Sequence, residues 1–67
     1  MYILRDGKVE FTGNKKEIIN YIRECYEDDY FVQEYGNIFD KDWNKFKYTL
    51  EGLGLFLSNK KPRRKNG

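Results

Sequence analysis

Residues 14–26, N-K-K-E-I-I-N-Y-I-R-E-C-Y, form the stretch of the sequence that most clearly specifies one structural element. Apolar or semi-polar residues recur there at intervals of three and four, namely Ile18, Ile19, Ile22, Cys25 and Tyr26. Charged and amide side chains occupy the other side of the same stretch. This pattern predicts an amphipathic α-helix with one apolar stripe. Because Cys25 lies on that stripe, we also expect its thiol to be buried.

The start of this helix carries a signal of its own. Asn14 is followed three residues later by Glu17, which is the spacing of a capping box. In that motif each side chain accepts a hydrogen bond from a backbone N–H that the first helical turn leaves without a partner. We therefore expect the helix to begin directly after Asn14 and the rest of the chain to cover its apolar stripe.

Residues 1–12 predict a β-hairpin in front of the helix. The Asp-Gly pair at 6–7 is a preferred sequence for a two-residue type I′ turn. Such a turn pairs apolar residues across the hairpin and brings them to one face, Leu4 with Val9 and Tyr2 with Phe11. The opposite face then carries Ile3, Arg5, Lys8, Glu10 and Thr12.

Residues 27–36 allow more than one interpretation. They contain the signals of a short helix, namely a capping residue at Asp28 or Asp29, Phe31 and Tyr35 four residues apart, and Gly36 at the end. The first helix could also continue through them, or the segment could be a strand or loop. We favour a second or continued helix, followed by a connecting loop over residues 37–44.

Residues 45–57 predict a second hairpin, with its turn at Glu51-Gly52. A turn there pairs apolar residues on one face, Leu50 with Leu53, Tyr48 with Leu55 and Phe46 with Leu57, and leaves Lys45, Lys47 and Thr49 on the other. The expected fold is α+β in the order ββααββ, with two hairpins forming one antiparallel sheet packed on one or two helices.

The charges divide the chain into two parts. Of the 67 residues, the last nine hold five of the thirteen Lys and Arg residues, Lys60, Lys61, Arg63, Arg64 and Lys65, and none of the eleven Asp and Glu residues. Residues 1–58 are therefore acidic and are expected to form one compact domain. Residues 59–67 have no apolar side chain and are expected to form a flexible basic tail.

The sequence gives no sign of membrane insertion or of a disulfide. No run approaches the ~20 apolar residues of a transmembrane helix, and no basic segment followed by an apolar core opens the chain. Its single cysteine cannot form a disulfide within one chain. We expect a cytoplasmic protein of a bacterial host that has no membrane partner.

The chain lacks the residues that usually carry out catalysis. The chain has no histidine, one cysteine and one serine, Ser58, so no nucleophile has a plausible base beside it. The carboxylate pair Asp28-Asp29 would need a pocket that a chain of this length can hardly build. We expect no enzymatic activity.

Two short motifs do not reach the specificity of a metal or phosphate site. Asp40, Asp42, Asn44 and Glu51 have the spacing of an EF-hand loop, but Lys45 stands where the sharp turn normally requires glycine. The run Gly52-Leu53-Gly54 lacks the third glycine of a dinucleotide-binding loop. We therefore expect no metal and no cofactor.

The segment from Glu24 to Trp43 combines acidic and aromatic residues, and it is the first candidate binding site. Its candidate residues are Glu24, Glu27, Asp28, Asp29, Tyr30, Glu34, Tyr35, Asp40, Asp42 and Trp43. Such a surface suits a basic, nucleic-acid-binding protein, because negative charge steers the encounter and aromatic rings supply contact energy. The alternative is a solvated acidic face above core aromatics.

A second candidate site is basic. Lys45 and Lys47 on the sheet face, together with the tail residues Lys60, Lys61, Arg63, Arg64 and Lys65, could neutralise phosphates of nucleic acid. The acidic body opposes such binding. The alternative for the tail is a purely solubilising end.

The opening M-Y-I-L-R-D-G-K-V-E-F-T-G-N-K-K-E-I-I-N-Y-I, residues 1–22, resembles small accessory proteins of phages and prophages of low-GC Gram-positive bacteria. Those proteins often begin with a D-G-K hairpin and a T-G-x-x-K-E-I helix start. Several of them resemble anti-CRISPRs in size, charge and non-enzymatic action. The resemblance implies an inhibitor that occupies the nucleic-acid-binding groove of an effector nuclease, and it transfers no individual residue.

These observations lead to three hypotheses. The first is a stoichiometric inhibitor, anti-CRISPR-like, that binds a basic protein or nucleoprotein through its acidic, aromatic segment as a nucleic-acid mimic. The second is a nucleic-acid-binding accessory or regulatory protein that uses its basic tail and lysine sheet face. The third is a component that acts as a homo-oligomer.

Overall fold

A computed structural model describes residues 1–60 of the chain. Its elements in chain order are β1 (Tyr2–Arg5), β2 (Lys8–Thr12), α1 (Lys15–Cys25), α2 (Tyr30–Tyr35), a 3-10 turn (Gly36–Ile38), α3 (Trp43–Gly52) and β3 (Phe56–Ser58). The predicted α+β class is confirmed, but the order is ββαααβ and not ββααββ. Of the predicted basic tail, only residues 59 and 60 are described, and residues 61–67 lie outside the described part.

The first hairpin is confirmed, and its turn has the expected conformation. Asp6 and Gly7 both have positive φ, 53° and 79°, as a type I′ turn requires. Leu4 pairs with Val9 next to the turn, in the predicted register.

The predicted register is wrong farther from the turn. Between Ile3 and Leu4 the pairing shifts by one residue, so that Ile3 lies opposite Phe11 and Tyr2 lies opposite Thr12. Glu10 is the extra residue of this β-bulge. The shift brings Phe11 to the same face as Ile3, which enters the core with no exposed surface. Leu4 and Val9 lie on the other face, and Val9 remains 42% exposed.

Helix α1 begins at the predicted capping box. The side chain of Asn14 accepts a hydrogen bond from the backbone N–H of Glu17, and the Glu17 carboxylate accepts one from the N–H of Asn14, both at 2.8 Å. The three isoleucines of the predicted stripe are buried. Cys25, in contrast, is exposed, so the prediction of a buried thiol is wrong. It is the last residue of α1, at the edge of the stripe, where no element within residues 1–60 covers it.

The second hairpin predicted over residues 45–57 does not form, because residues 43–52 are helical. The Asp42 side chain caps α3 by accepting a hydrogen bond from the N–H of Lys45 at 3.1 Å. Phe46, Tyr48 and Leu50 alternate as in a strand, but Phe46 and Leu50 are also four residues apart and are both buried in the helix. The sequence thus satisfied both periods, and the cap favours the helix.

The end of α3 explains Gly54, which lies within the predicted second hairpin. Gly54 has φ +80°, its N–H donates to the carbonyl oxygen of Glu51, and the N–H of Leu55 donates to that of Leu50. These two hydrogen bonds define a Schellman motif, in which glycine follows the helix in the left-handed conformation. Leu50 and Leu55 are both buried, as the motif's usual apolar contact requires. The predicted turn at Glu51-Gly52 therefore lies within the last helical turn.

The chain then returns to the sheet through β3. Strand β3 pairs antiparallel with β1, with Leu57 opposite Ile3 and Phe56 opposite Leu4, so the strand order is β2-β1-β3. One face of the sheet meets the helices around a core formed by Ile3, Ile18, Ile19, Ile22, Val32, Phe39, Phe46, Leu50 and Leu55. No helix within residues 1–60 is long and apolar enough to cross a lipid bilayer.

Candidate protein-binding surface

Helix α2 displays an aromatic side chain in solvent. Asp29 caps the helix by accepting a hydrogen bond from the N–H of Phe31 at 2.7 Å, which confirms one of the two predicted caps. Tyr30, the first residue of α2, is 67% exposed. Glu34 follows four residues later, and side chains at this spacing share one face of a helix. The exposed ring and a carboxylate therefore lie side by side.

A glycine on α3 supports this arrangement from below. The ring of Phe31 packs so closely on Gly52 that a Cβ atom there would lie 2.7 Å from two ring carbons. The same ring contacts Tyr30 and Tyr48 edge to face, with centroids 5.5 and 5.3 Å apart. Phe31 thus connects α2 to α3 and holds the rings of both helices in one cluster.

Lys45 lies over the far end of this cluster. Its Nζ atom is 4.6 Å from the centroid of the Tyr35 ring and 5.8 Å from that of Tyr48, within the range of cation–π contacts. These three residues, with Asp42 and Asn44, line a cavity of about 370 Å³. The cavity already holds a positive charge that belongs to the chain itself.

The acidic residues around α2 are open to solvent. Glu24 lies in the last turn of α1, Glu27 and Asp28 lie in the turn between α1 and α2, and Glu34 lies on α2. All four are exposed, and the ion pairs found among residues 1–60 include none of them. Their charge is therefore available to a partner. The name α2 surface is used below for Glu27, Asp28, Tyr30, Glu34 and Tyr48.

Five of the predicted site residues have structural contacts instead. Asp29 and Asp42 are helix caps, and Asp40 pairs with Arg23 at 2.7 Å. The Trp43 ring stacks on Phe46 with centroids 5.0 Å apart, and Tyr35 is half-buried beneath Lys45. The sequence pattern did not separate these residues from the four exposed carboxylates, because caps and salt bridges use the same side chains as binding surfaces.

A polar network beneath the hairpin was not predicted. The bulge turns Glu10 towards α1, where its carboxylate accepts hydrogen bonds from Tyr21 (3.0 Å), Tyr26 and Arg5 (2.9 Å). Arg5 also donates to the hydroxyl of Tyr26 and to the carbonyl oxygen of Leu53. The name hairpin network is used below for Arg5, Glu10, Tyr21 and Tyr26. It ties the hairpin to α1 and to the end of α3.

The hairpin network shifts the pKa values of its members. Partial burial alone would raise the pKa of Glu10, but the hydrogen bonds from Tyr26, Arg5 and Tyr21 outweigh it and lower that pKa. Burial and hydrogen bonding to Glu10 raise the pKa values of Tyr21 and Tyr26. The carboxylate and both neutral hydroxyls are therefore the favoured forms in the fold.

The lysine sheet face of the second candidate site does not form. Lys45 and Lys47 lie on α3, and Arg5 is engaged in the hairpin network. Lys60 is exposed beyond β3, while Lys61, Arg63, Arg64 and Lys65 lie outside the described residues.

The EF-hand-like spacing and Ser58 both have structural explanations. Among residues 1–60 no group of three possible metal-ligating side chains comes together. Asp42 caps α3, and Glu51 lies in its last turn, so the EF-hand spacing forms no loop. The hydroxyl of Ser58 exchanges hydrogen bonds with the backbone of Lys60.

Comparisons with known proteins found no relative of this chain. The chain matches no protein-family model, no curated protein and no solved structure.

Proposed function

We propose that this protein is a non-enzymatic, phage-type inhibitor that binds a basic protein or nucleoprotein through its α2 surface. The observation that carries the proposal is the exposed Tyr30 ring among carboxylates that form no ion pair within residues 1–60. Exposed tyrosine is a typical anchor of protein interfaces, since its ring supplies large contact area at low entropic cost.

The charge around that ring indicates the class of partner. Exposed carboxylates stand on both sides of Tyr30 in the chain, Glu27 and Asp28 just before it and Glu34 one helical turn after it. This negative charge favours a positively charged partner surface. Over residues 1–60, nine Lys and Arg residues face eleven Asp and Glu residues. A protein surface that normally holds nucleic acid has the required positive charge, and this is the target class that the anti-CRISPR-like resemblance implies.

The packing behind the ring supports a preformed surface. Phe31 is fixed between Gly52 and Tyr48, so Tyr30 rests on a cluster that binding need not order. Preorganisation of this kind reduces the entropic cost of association.

A photo-crosslinking experiment tests the proposal. Tyr30 is replaced by a benzoylphenylalanine residue, and the labelled protein is irradiated in a lysate of a low-GC Gram-positive host. The matched control carries the same replacement at Phe56, an almost equally exposed ring at 66% on the sheet. We expect the probe at position 30 to crosslink a nucleic-acid-binding protein and the probe at 56 not to. Crosslinks to proteins without that property would contradict the proposal.

Charge variants then test the mechanism on the captured target. We expect Glu27→Lys with Asp28→Lys to weaken binding at least about tenfold, because close charge pairs at interfaces contribute on the order of 1.4 kcal/mol or more. Neutralising Lys61, Arg63, Arg64 and Lys65 with glutamine should leave it unchanged.

The same two variants distinguish the nucleic-acid-binding alternative. In a titration with duplex and single-stranded nucleic acid at two salt concentrations, that alternative predicts salt-dependent binding that the tail variant loses. Such a result, with intact binding by the Glu27→Lys/Asp28→Lys variant, would replace our proposal.

A further inference from the structure

The outer edge of β3 is open and apolar. Among residues 1–60, β3 pairs only with β1, and no other strand lies on its second side. The strand is three residues long, and its first residue, Phe56, is 66% exposed. An open edge with an exposed apolar side chain is a template for pairing with another strand.

The apolar surface extends from this edge across the whole sheet. Val9, Leu4 and Phe56 are cross-strand neighbours, so their side chains form one row on a single face. Leu4 is buried, yet it is not among the residues of the core cluster, which places the row on the face away from the helices. On this face Val9 and Phe56 remain 42% and 66% exposed on either side of the buried Leu4.

A groove beside the edge carries one charge of each sign. It is lined by Leu50, Leu55, Phe56 and Leu57, with Lys47 and Glu51 of α3 above it. Lys47 and Glu51 are both exposed, and the ion pairs found among residues 1–60 do not include them. They are four residues apart and therefore share one face of the helix. A surface with both charges can complement a rotated copy of itself.

We propose that two copies of this chain pair through the free edge of β3, antiparallel and around a two-fold axis at Leu57. The two sheets then form one six-stranded sheet, and the two α3 helices lie on the same face of it. The two-fold axis sets Lys47 of each copy against Glu51 of the other. On the opposite face the two Phe56 rings become diagonal neighbours, about 7–8 Å apart between their Cα atoms, which lets the rings touch. The apolar row then continues from one copy into the next.

The charge pattern favours a second copy over an unrelated strand. A two-fold interface requires that the same patch be its own complement, and the Lys47–Glu51 pair meets that requirement. An unrelated partner would have to match both charges separately. This inference is independent of the proposed function, because the β3 edge and the α2 surface share no residue.

Analytical ultracentrifugation of the full chain tests the proposal. We expect a mass that rises with concentration from 8.2 kDa to twice that value. Phe56→Lys should raise the dimer dissociation constant at least about tenfold, because it places a charge in the apolar interface. Tyr30→Lys, at an equally exposed ring outside this edge, is the matched control and should leave the constant unchanged. A chain that stays monomeric up to millimolar concentration, or a dimer that Phe56→Lys does not weaken, would overturn the proposal.

A charge swap tests the two-fold arrangement itself. Lys47→Glu and Glu51→Lys each create a like-charge contact across the axis, so each should weaken the dimer severalfold. The double variant restores opposite charges and should restore the dimer. Loss of folding would not be rescued in this way, and thermal melting of each variant checks for it. Single variants that dimerise like the parent chain would contradict the proposed orientation.

Discussion

The hairpin network and the α2 surface are built from the same kinds of side chain and use them in opposite ways. In the hairpin network the hydroxyls of Tyr21 and Tyr26 both donate to one carboxylate, Glu10, which is mostly buried. In the α2 surface Tyr30 and Tyr48 both pack on the ring of Phe31 and remain 67% and 49% exposed.

The difference teaches where an aromatic residue contributes to stability and where it contributes to binding. A tyrosine whose hydroxyl has a charged partner is fixed on both ends, so it stabilises the fold. A tyrosine that rests on a ring and ends in water retains the polar tip that an interface can use. Four predictions test this contrast, from the largest expected effect to the smallest.

Removing the charge of Glu10 should have the largest effect on stability. Glu10→Gln weakens three hydrogen bonds to a charged acceptor, and we expect the free energy of unfolding to fall by about 2 kcal/mol. This figure allows for the solvent exposure of the Arg5–Glu10 pair. Urea unfolding measures it. Glu27→Gln, on the α2 surface, is the control and should change stability by less than about 0.5 kcal/mol.

Adding a methyl group at Gly52 should damage the α2 surface from within. Gly52→Ala improves helix propensity by up to about 1 kcal/mol, but its Cβ atom would lie 2.7 Å from the Phe31 ring. We expect the displaced ring to cost more than the helix gains, with a net loss of about 1 kcal/mol. Urea unfolding and the near-ultraviolet circular dichroism of the aromatic cluster both report it. An unchanged spectrum with increased stability would show that Phe31 is not confined.

The pH dependence of stability should originate in the hairpin network. Because the fold lowers the pKa of Glu10, its contribution is complete above the ordinary glutamate pKa of about 4.3 and is lost as the pH falls through the folded value. The raised pKa values of Tyr21 and Tyr26 stabilise the fold up to about pH 10, and this contribution is lost at higher pH.

Unfolding curves between pH 2 and 11 test this assignment. We expect Glu10→Gln to flatten the acid side of the profile, since glutamine does not titrate. The same flattening in Glu27→Gln would refute the assignment to the hairpin network.

The smallest effect is expected at a hydroxyl that neither region uses. Thr49 is fully buried in α3, and its Oγ1 has no hydrogen-bond partner among the described residues. Thr49→Val keeps the shape and removes a polar atom, so we expect stability to be unchanged or to increase by up to about 1 kcal/mol. Thermal unfolding measures this change. A clear loss of stability would mean that the hydroxyl has a partner after all.

The parts of the fold that the sequence predicted correctly depend on neighbours along the chain. Asp6-Gly7 specified its turn, and Asn14 with Glu17 specified the start of α1, because each signal acts over a few residues. The helix α2 and its cap at Asp29 followed from the same kind of local chemistry.

The parts that failed depend on contacts between distant segments. The bulge at Glu10 follows from hydrogen bonds to Tyr21 and Tyr26 on α1, which no local pattern shows. Residues 43–52 fit both a strand and a helix. Two local signals favour the helix, the cap at Asp42 and the Schellman sequence of Leu50 with Gly54-Leu55, but the alternation of Phe46, Tyr48 and Leu50 predicts a strand equally well.

The candidate site was predicted only in outline. Four of the five members of the α2 surface, Glu27, Asp28, Tyr30 and Glu34, lay within the predicted acidic, aromatic segment. Asp29, Asp40 and Asp42 lay there too, although they are caps and a salt-bridge partner. Tyr48 lies outside that segment, and its alternation with Phe46 and Leu50 predicts a place in the core of a sheet. Its contact with Phe31 joins two different helices, so no local pattern shows it.

The position of β1 has a kinetic consequence. This strand is the centre of the sheet, and its two neighbours are very differently placed in the chain. Strand β2 follows β1 after a two-residue turn, whereas β3 is separated from β1 by the whole chain between Leu4 and Phe56. Hairpins close within microseconds, whereas closing a long loop carries a larger entropic cost. We therefore expect β3 to dock after the folding transition state, so that substitutions in it speed unfolding more than they slow folding.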